Sequence, residues 1–376
     1  MKTNPPPIRL HIQKLLSDPA TMARWERLIL GAAQRTEWLE RLVHTPPGFG
    51  LFATIGNVSG DGLDLKVALR RLGAELGTIN LAPNEVATFK IKSPKQFREK
   101  SPLKKVFEEV QTKLGPNDWS QLVDGCDWTL NPVRQFLSCM RSQPLPDSVK
   151  EQPLEDSLVQ SFSRNKLQGK FWFDYCALAE PRAAGQAFPF KFKLPVIVDQ
   201  ENTSANREGR WKELIHTPDG CGAPDILVRC QTVLGGGRKR LGVLELKKAR
   251  PSHAEIALLQ GYAYAVTISE LQKLYPKNHQ VHKALRTLLG YPAARPATIP
   301  LAVYAIVEQR DVDVVRHEQN LLTKAVLSEC DGMLVGILGY KLNKDTKQME
   351  LTSAVQWVKG EWRDIKASRK FVSLVA

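Results

Sequence analysis

Three ionisable residues on two short apolar segments offer the most specific chemistry in this chain. Gly222-Ala223-Pro224-Asp225-Ile226-Leu227-Val228 is followed, twenty residues after its aspartate, by Val243-Leu244-Glu245-Leu246-Lys247. Both segments have the β-branched and aliphatic content of buried strands. Gly235-Gly236-Gly237 between them supplies a turn, so that a hairpin would bring Asp225 beside Glu245. Strand side chains alternate between faces, which puts Glu245 and Lys247 on one side and Leu246 on the other. Two carboxylates and a backbone carbonyl suffice to hold Mg²⁺ or Mn²⁺, hard ions that keep several waters. An ion so held polarises a phosphoryl oxygen and acidifies a bound water, while a neighbouring lysine can orient or deprotonate that water and offset developing charge. The set predicts metal-dependent hydrolysis of a phosphodiester. Glu-x-Lys alone is commonplace and reads equally as a pair of solvated strand residues, so the prediction depends on its surroundings.

The surrounding elements must position these groups. Ser252, three residues before Glu255, forms a capping box, and Ile256, Leu259 and Ala263 recur at helical spacing, predicting a helix after the second strand. Gln260 and Tyr264 sit four apart on one face of it, able to reach towards the strand ends or a bound nucleotide. After a helical excursion through residues 269–290, Ile299 to Val307 reads as a further strand. Upstream, Leu154, Leu158, Val159 and Phe162 recur at helical spacing between Glu151 and Lys166. The strand-like run Phe171-Trp172-Phe173-Asp174-Tyr175-Cys176 follows directly.

With these motifs in this order, the segment resembles the PD-(D/E)XK nuclease superfamily and, within it, the RecB-like branch. Gly222-Ala223-Pro224-Asp225-Ile226-Leu227 is similar to that branch's glycine-x-x-aspartate-hydrophobic motif. Glu245-Leu246-Lys247 matches its acid-x-lysine, and Gln260-Gly261-Tyr262-Ala263-Tyr264 its glutamine-x-x-x-tyrosine. The resemblance covers residues 150–310. It implies an α/β (α+β) fold, with a restriction-endonuclease-like mixed central sheet flanked by helices, and Mg²⁺- or Mn²⁺-dependent cleavage of DNA or sometimes RNA. Asp225 and Glu245 would then be metal ligands, Lys247 would assist the attacking water, and Gln260 and Tyr264 would aid substrate placement. The pattern also places an acid or histidine on a helix before the first strand. Glu155 is the choice here, as a further metal ligand and catalytic residue; Glu151, Glu180, Glu201, Glu208 and Glu213 compete, and each reads also as a surface carboxylate.

Three units are expected: a mainly helical N-terminal domain over 1–145, the nuclease-like domain over 150–310, and a C-terminal extension over 311–376. Pro19 to Val43 carries Met22, Trp25, Leu28, Ile29, Ala32, Trp38, Leu39 and Leu42 on recurrent faces, and Leu63 to Leu76 repeats Leu65, Leu69, Leu72 and Leu76. Both read as helical core stripes. Gly48-Phe49-Gly50 and Gly56 to Gly62 lack the lysine-serine ending of a phosphate loop and read as turns. The boundary is placed in Ser142-Gln143-Pro144-Leu145-Pro146-Asp147-Ser148. Met333 to Tyr340 and Met349 to Trp357 predict a terminal β-hairpin packed on the nuclease domain. Trp357 and Trp362 read as core residues ahead of base-stacking ones, and His279 and His282 have no acidic or thiolate companion nearby.

A formal net charge of +14 favours a polyanionic partner. Arg238, Lys239 and Arg240 at the hairpin tip and Lys248 after the second strand are candidate phosphate contacts, which bind with strong salt dependence and little sequence preference. Nucleic acid is thus the expected partner, DNA ahead of RNA. The N-terminal domain is a candidate for targeting, regulation or docking of a protein partner, and a homodimer would let one centre per chain cut both strands of a duplex. The alternative is a non-catalytic nucleic-acid-binding or partner-docking module on the same scaffold. With no run of 18 or more apolar residues, a cytoplasmic protein without membrane contact is expected. Six cysteines without a C-x-x-C pair indicate neither a zinc cage nor a disulfide framework.

Overall fold

The computed structural model describes residues 7–34, 48–59, 62–71, 74–81, 86–97, 99, 101–144, 155, 171–175, 190–191, 194–199, 211–217, 222–232, 239–247, 253–289, 291, 299–317, 321–330, 332–342 and 349–365. Helices α1 (Ile8–Leu15) and α2 (Pro19–Gln34) precede an antiparallel meander of β1 (Gly50–Ser59), β2 (Gly62–Arg71), β3 (Ala74–Leu81) and β4 (Thr88–Ile91). Helices α3 (Pro102–Leu114), α4 (Pro116–Asp124) and α5 (Asn131–Ser142) follow, with β5 (Cys126–Asp127) between the last two. Each of these three helices carries a proline at its start, where the missing N–H is not needed. Next come β6 (Phe171–Tyr175), β7 (Phe190–Lys191), β8 (Ile197–Val198), α6 (Trp211–Leu214), β9 (Ile215–His216), β10 (Ile226–Thr232) and β11 (Lys239–Leu246). The remainder is α7 (His253–Leu274), α8 (Gln280–Leu288), β12 (Leu301–Glu308), α9 (Gln309–His317), α10 (Leu321–Glu329), β13 (Leu334–Leu342), β14 (Met349–Val358) and β15 (Glu361–Asp364).

Two larger sheets result, one ordered β5-β4-β3-β2-β1-β7 and the other β6-β10-β11-β12-β13-β14-β15, and β8 pairs with β9 in a small ribbon. The chain is therefore a mixed α+β protein. In the seven-stranded sheet β11, β12 and β13 run parallel, with antiparallel strands on both sides. Helix α7 forms the crossover from β11 to β12. Parallel central strands are covered on both faces, which is why Leu301 to Val307 is a continuous apolar run, every residue of it buried. Each such aliphatic side chain contributes about 1.5–3 kcal/mol relative to exposure. Helix α7 is itself enclosed, lying on β11 and β12 with α1, α9 and α10 around it. Its approach to the sheet requires Gly261: a Cβ there would lie 2.8 Å from Val303 Cγ1.

Several expectations change. Leu63 to Leu76 forms β2 and the start of β3 instead of a helix, so a sheet lies at the centre of the first 145 residues and they are not mainly helical. Leu65 and Leu69, four apart, share a side of a strand as readily as of a helix. The period-two alternation of Leu65, Val67 and Leu69 with Asp64, Lys66 and Ala68 is the decisive signal, and Val67 and Leu69 are fully buried. Gly56 to Ser59, expected as part of a turn, belongs to β1, and Ser59 pairs with Gly62.

The unit boundaries also move. Helices α1 and α2 pack on α7, α8 and α10, the helices over the second sheet. The Ile8 and Arg9 amides donate to the Glu329 carboxylate, a favourable placement of negative charge at a helix start. Tyr275 donates to Glu26, and Gln13 to Glu270. At the other end, β13 and β14 pair antiparallel as expected but continue the central sheet through β12 instead of packing on it as an extension. Trp357 and Trp362 stack edge to face there, centroids 5.3 Å apart. Among the described residues, no helix is long and apolar enough to cross a membrane.

Candidate metal centre

Strands β10 and β11 pair with Ile226 opposite Leu244, so Asp225 and Glu245 meet at the end of the ladder. Ile226, Val228, Leu244 and Leu246 pack into the apolar layer on one side of the sheet, while Leu227 and Val243 join the layer under α7. Alternation puts Asp225 and Glu245 on the α7 side. The Asp225 carboxylate accepts from the Leu246 amide at 2.9 Å, and the Asp225 amide donates to Glu245 Oε1 at 3.2 Å. Lys247 Nζ donates to the Leu246 carbonyl at 3.1 Å and stands 4.0 Å from Asp225 Oδ2. Its main chain is fixed by an amide bond to the Ile306 carbonyl at 2.9 Å and by Tyr340, whose hydroxyl donates to the Lys247 carbonyl at 3.4 Å.

Burial decides the electrostatics. Glu245 is 1% exposed and Lys247 2%, whereas the Asp225 side chain keeps 26%, so solvent and any ligand approach from the aspartate side. Glu245 is held well above the usual carboxylate range, first by burial and then by the charge of Asp225. Lys247 and the Asp225 amide pull the other way. Two acids against one ammonium leave a net negative charge in a dry site, which takes up either a proton or a further cation. Hard oxygen donors with excess negative charge fit Mg²⁺ or Mn²⁺.

No protein-family model, curated protein or solved structure matches this chain. Its site must be read from its own geometry.

Gln260 and Tyr264 lie on α7 next to the acid pair, and Gly261 between them is so close that a Cβ there would be 3.5 Å from Glu245 Cγ. Both reach the same residue of β8. Gln260 Nε2 donates to the Val198 carbonyl at 3.3 Å, and the Val198 main chain is hydrogen-bonded to the Tyr264 oxygen. Burial, then the charges of Glu245 and Asp225, push the Tyr264 phenol far above its ordinary range, so it is a neutral hydroxyl. Val198 is the partner that the sequence reading missed. A two-residue strand has no periodicity to detect, although Val196-Ile197-Val198 between Pro195 and Asp199 is an apolar run with a proline before it.

The other expected site residues fare differently. Glu155 is helical and buried, but its carboxylate pairs with Arg70 at 3.4 Å, and Arg70 also lies over the Phe52 ring at 4.4 Å. It does not join Asp225 and Glu245: among the described residues no three His, Cys, Asp or Glu side chains converge as a metal site. The rest of the helix expected over 151–166 lies outside the described residues, as do Arg238, Lys248 and the capping residue Ser252. Lys239 opens β11, and its side chain too lies outside them. Arg240 Nη1 donates to the Gly332 carbonyl at 3.2 Å and the Leu301 carbonyl at 3.4 Å, which ties that side chain to the β12–β13 end of the sheet.

Proposed function

We propose that this chain is a metal-dependent nuclease of the PD-(D/E)XK type, cutting DNA ahead of RNA. The observation that carries the reading is the pair of carboxylates, Asp225 and Glu245, brought into contact from adjacent strands with Lys247 beside them in a nearly dry site. The β6-β10-β11-α7-β12 succession on a mixed sheet supports a restriction-endonuclease-like core. The net charge of +14 supports a polyanionic substrate.

In this reading Asp225 and Glu245 would hold Mg²⁺ or Mn²⁺, which would supply Lewis acidity and a water of lowered pKa. Asp225, the more exposed acid, faces the incoming phosphate, and Glu245 is the buried anchor. Lys247 orients the attacking water and offsets charge developing on the phosphoryl oxygens. Its ammonium is positioned by the Leu246 carbonyl and by the main-chain bonds to Ile306 and Tyr340. Helix α7 excludes bulk water from Glu245.

The test is incubation with labelled single- and double-stranded DNA and RNA in Mg²⁺, Mn²⁺ or EDTA, against Asp225→Asn, Glu245→Gln and Lys247→Ala. Cleavage that needs the ion and all three side chains is expected. Salt-sensitive binding by wild type, with no cutting of any substrate in either metal, would replace the nuclease reading with a binding module on the same fold.

A further inference from the structure

Gln260 is 2% exposed and its two amide atoms have unequal fates. Nε2 donates to the Val198 carbonyl, whereas Oε1 is buried and has no hydrogen-bond partner among the described residues. The amide cannot be turned over to relieve this, since a carbonyl only accepts and the nitrogen must therefore face Val198. Buried amide oxygens are almost always satisfied in folded proteins, so one held in a fixed direction without a partner calls for a donor or cation to account for it. The neighbourhood says which. A Cβ added at Gly261, the next residue, would lie 3.5 Å from Glu245 Cγ, and Tyr264, one turn further on the same helix, lies within electrostatic reach of both carboxylates.

We propose that Gln260 is the third oxygen donor of the cation site formed by Asp225 and Glu245, facing the ion through Oε1 directly or through one of its waters. The inference rests on the cation-site reading above and assigns Gln260 to the metal, in place of the substrate-placing role that its position in the motif suggested. Val198 is then a positioning element. Its carbonyl orients the amide, and the bond between its main chain and Tyr264 fixes the β8–β9 ribbon against α7. A neutral amide donor in third place adds a hard oxygen without adding charge, and among the described residues no third carboxylate converges there.

The full-length chain is tested with Mn²⁺ as the probe, its affinity read from the free-ion electron paramagnetic resonance signal in wild type, Gln260→Met, Glu245→Gln and Gln272→Met. Gln272 is a second buried glutamine on α7, its amide nitrogen without a partner among the described residues and its oxygen on the Ile299 amide, and serves as the control. Gln260→Met should weaken Mn²⁺ binding by about tenfold or more. Gln272→Met should leave it unchanged. Wild-type affinity in a folded Gln260→Met overturns the proposal while leaving the cation site intact. If wild type itself fails to bind Mn²⁺, or Glu245→Gln binds as well as wild type, the cation-site reading falls as well. Should Gln260→Met not fold, a Mn²⁺ soak of wild-type crystals decides by anomalous scattering. A peak at Asp225 and Glu245 within ligand or one-water reach of Gln260 Oε1 sustains the assignment, and a peak beyond that reach refutes it.

Discussion

Replacing Glu245 with glutamine should make the metal-free protein more stable at neutral pH while removing its response to Mg²⁺. Burial and the adjacent Asp225 raise the folded pKa of this carboxyl above that of the unfolded chain. Stability from the protonated form is fully present below the ordinary carboxylate range. As pH rises through that range the unfolded chain releases the proton and the folded chain does not, so stability falls by about 1.4 kcal/mol for each pH unit until the buried group ionises. Glutamine keeps the shape, and its oxygen can accept from the Asp225 amide as Glu245 Oε1 does now. The variant therefore lacks this slope. With Mg²⁺ at a hundredfold its Kd, wild type should gain about 2.7 kcal/mol, and the variant almost nothing. Urea denaturation followed by the fluorescence of the eight tryptophans, at several pH values in EDTA and in Mg²⁺, measures both effects. Parallel pH dependence of the two proteins in EDTA, or an equal gain from Mg²⁺, would refute the reasoning.

Asp225→Ala should lose metal-supported cleavage and also about 1–3 kcal/mol of stability, since the Leu246 amide and the Lys247 ammonium each lose a partner; denaturation in EDTA separates the two losses. Lys247→Ala should reduce turnover far more than Mn²⁺ affinity, measured by single-turnover cleavage beside ion titration. Gly261→Ala should cost about 1–3 kcal/mol and lower metal affinity, because its methyl would meet Val303 at 2.8 Å and crowd Glu245; wild-type melting would contradict the close packing of α7. Arg240→Ala should lower the melting temperature but leave the salt dependence of DNA binding unchanged, as its guanidinium is engaged by main-chain carbonyls.

The part of the molecule that the residues announced in advance is the part governed by local pattern. Asp225 and Glu245 could be paired because two apolar runs flank a glycine turn, and alternation along β11 then assigns faces without further information. The amphipathic rules were weaker where one spacing serves two structures, as with Leu65 and Leu69 in β2. Burial is not legible in the motif: Glu-x-Lys alone reads equally as solvated strand residues, yet Glu245 and Lys247 are both buried. Gln260, Tyr264 and Val198 form a contact between segments over sixty residues apart, and Glu155 pairs with Arg70 across 85 positions. Such partners depend on tertiary packing, for which the pattern of one segment carries no signal.

The docking of α1 on Glu329 joins residues 321 positions apart. At roughly 5–20 residues per second of synthesis, the first helix leaves the ribosome tens of seconds before its acidic partner exists. Until α7 follows, the apolar stripe of Ile8, Ile12 and Leu16 lacks its main packing surface, and translation speed or a chaperone governs how much of the nascent chain reaches the native state.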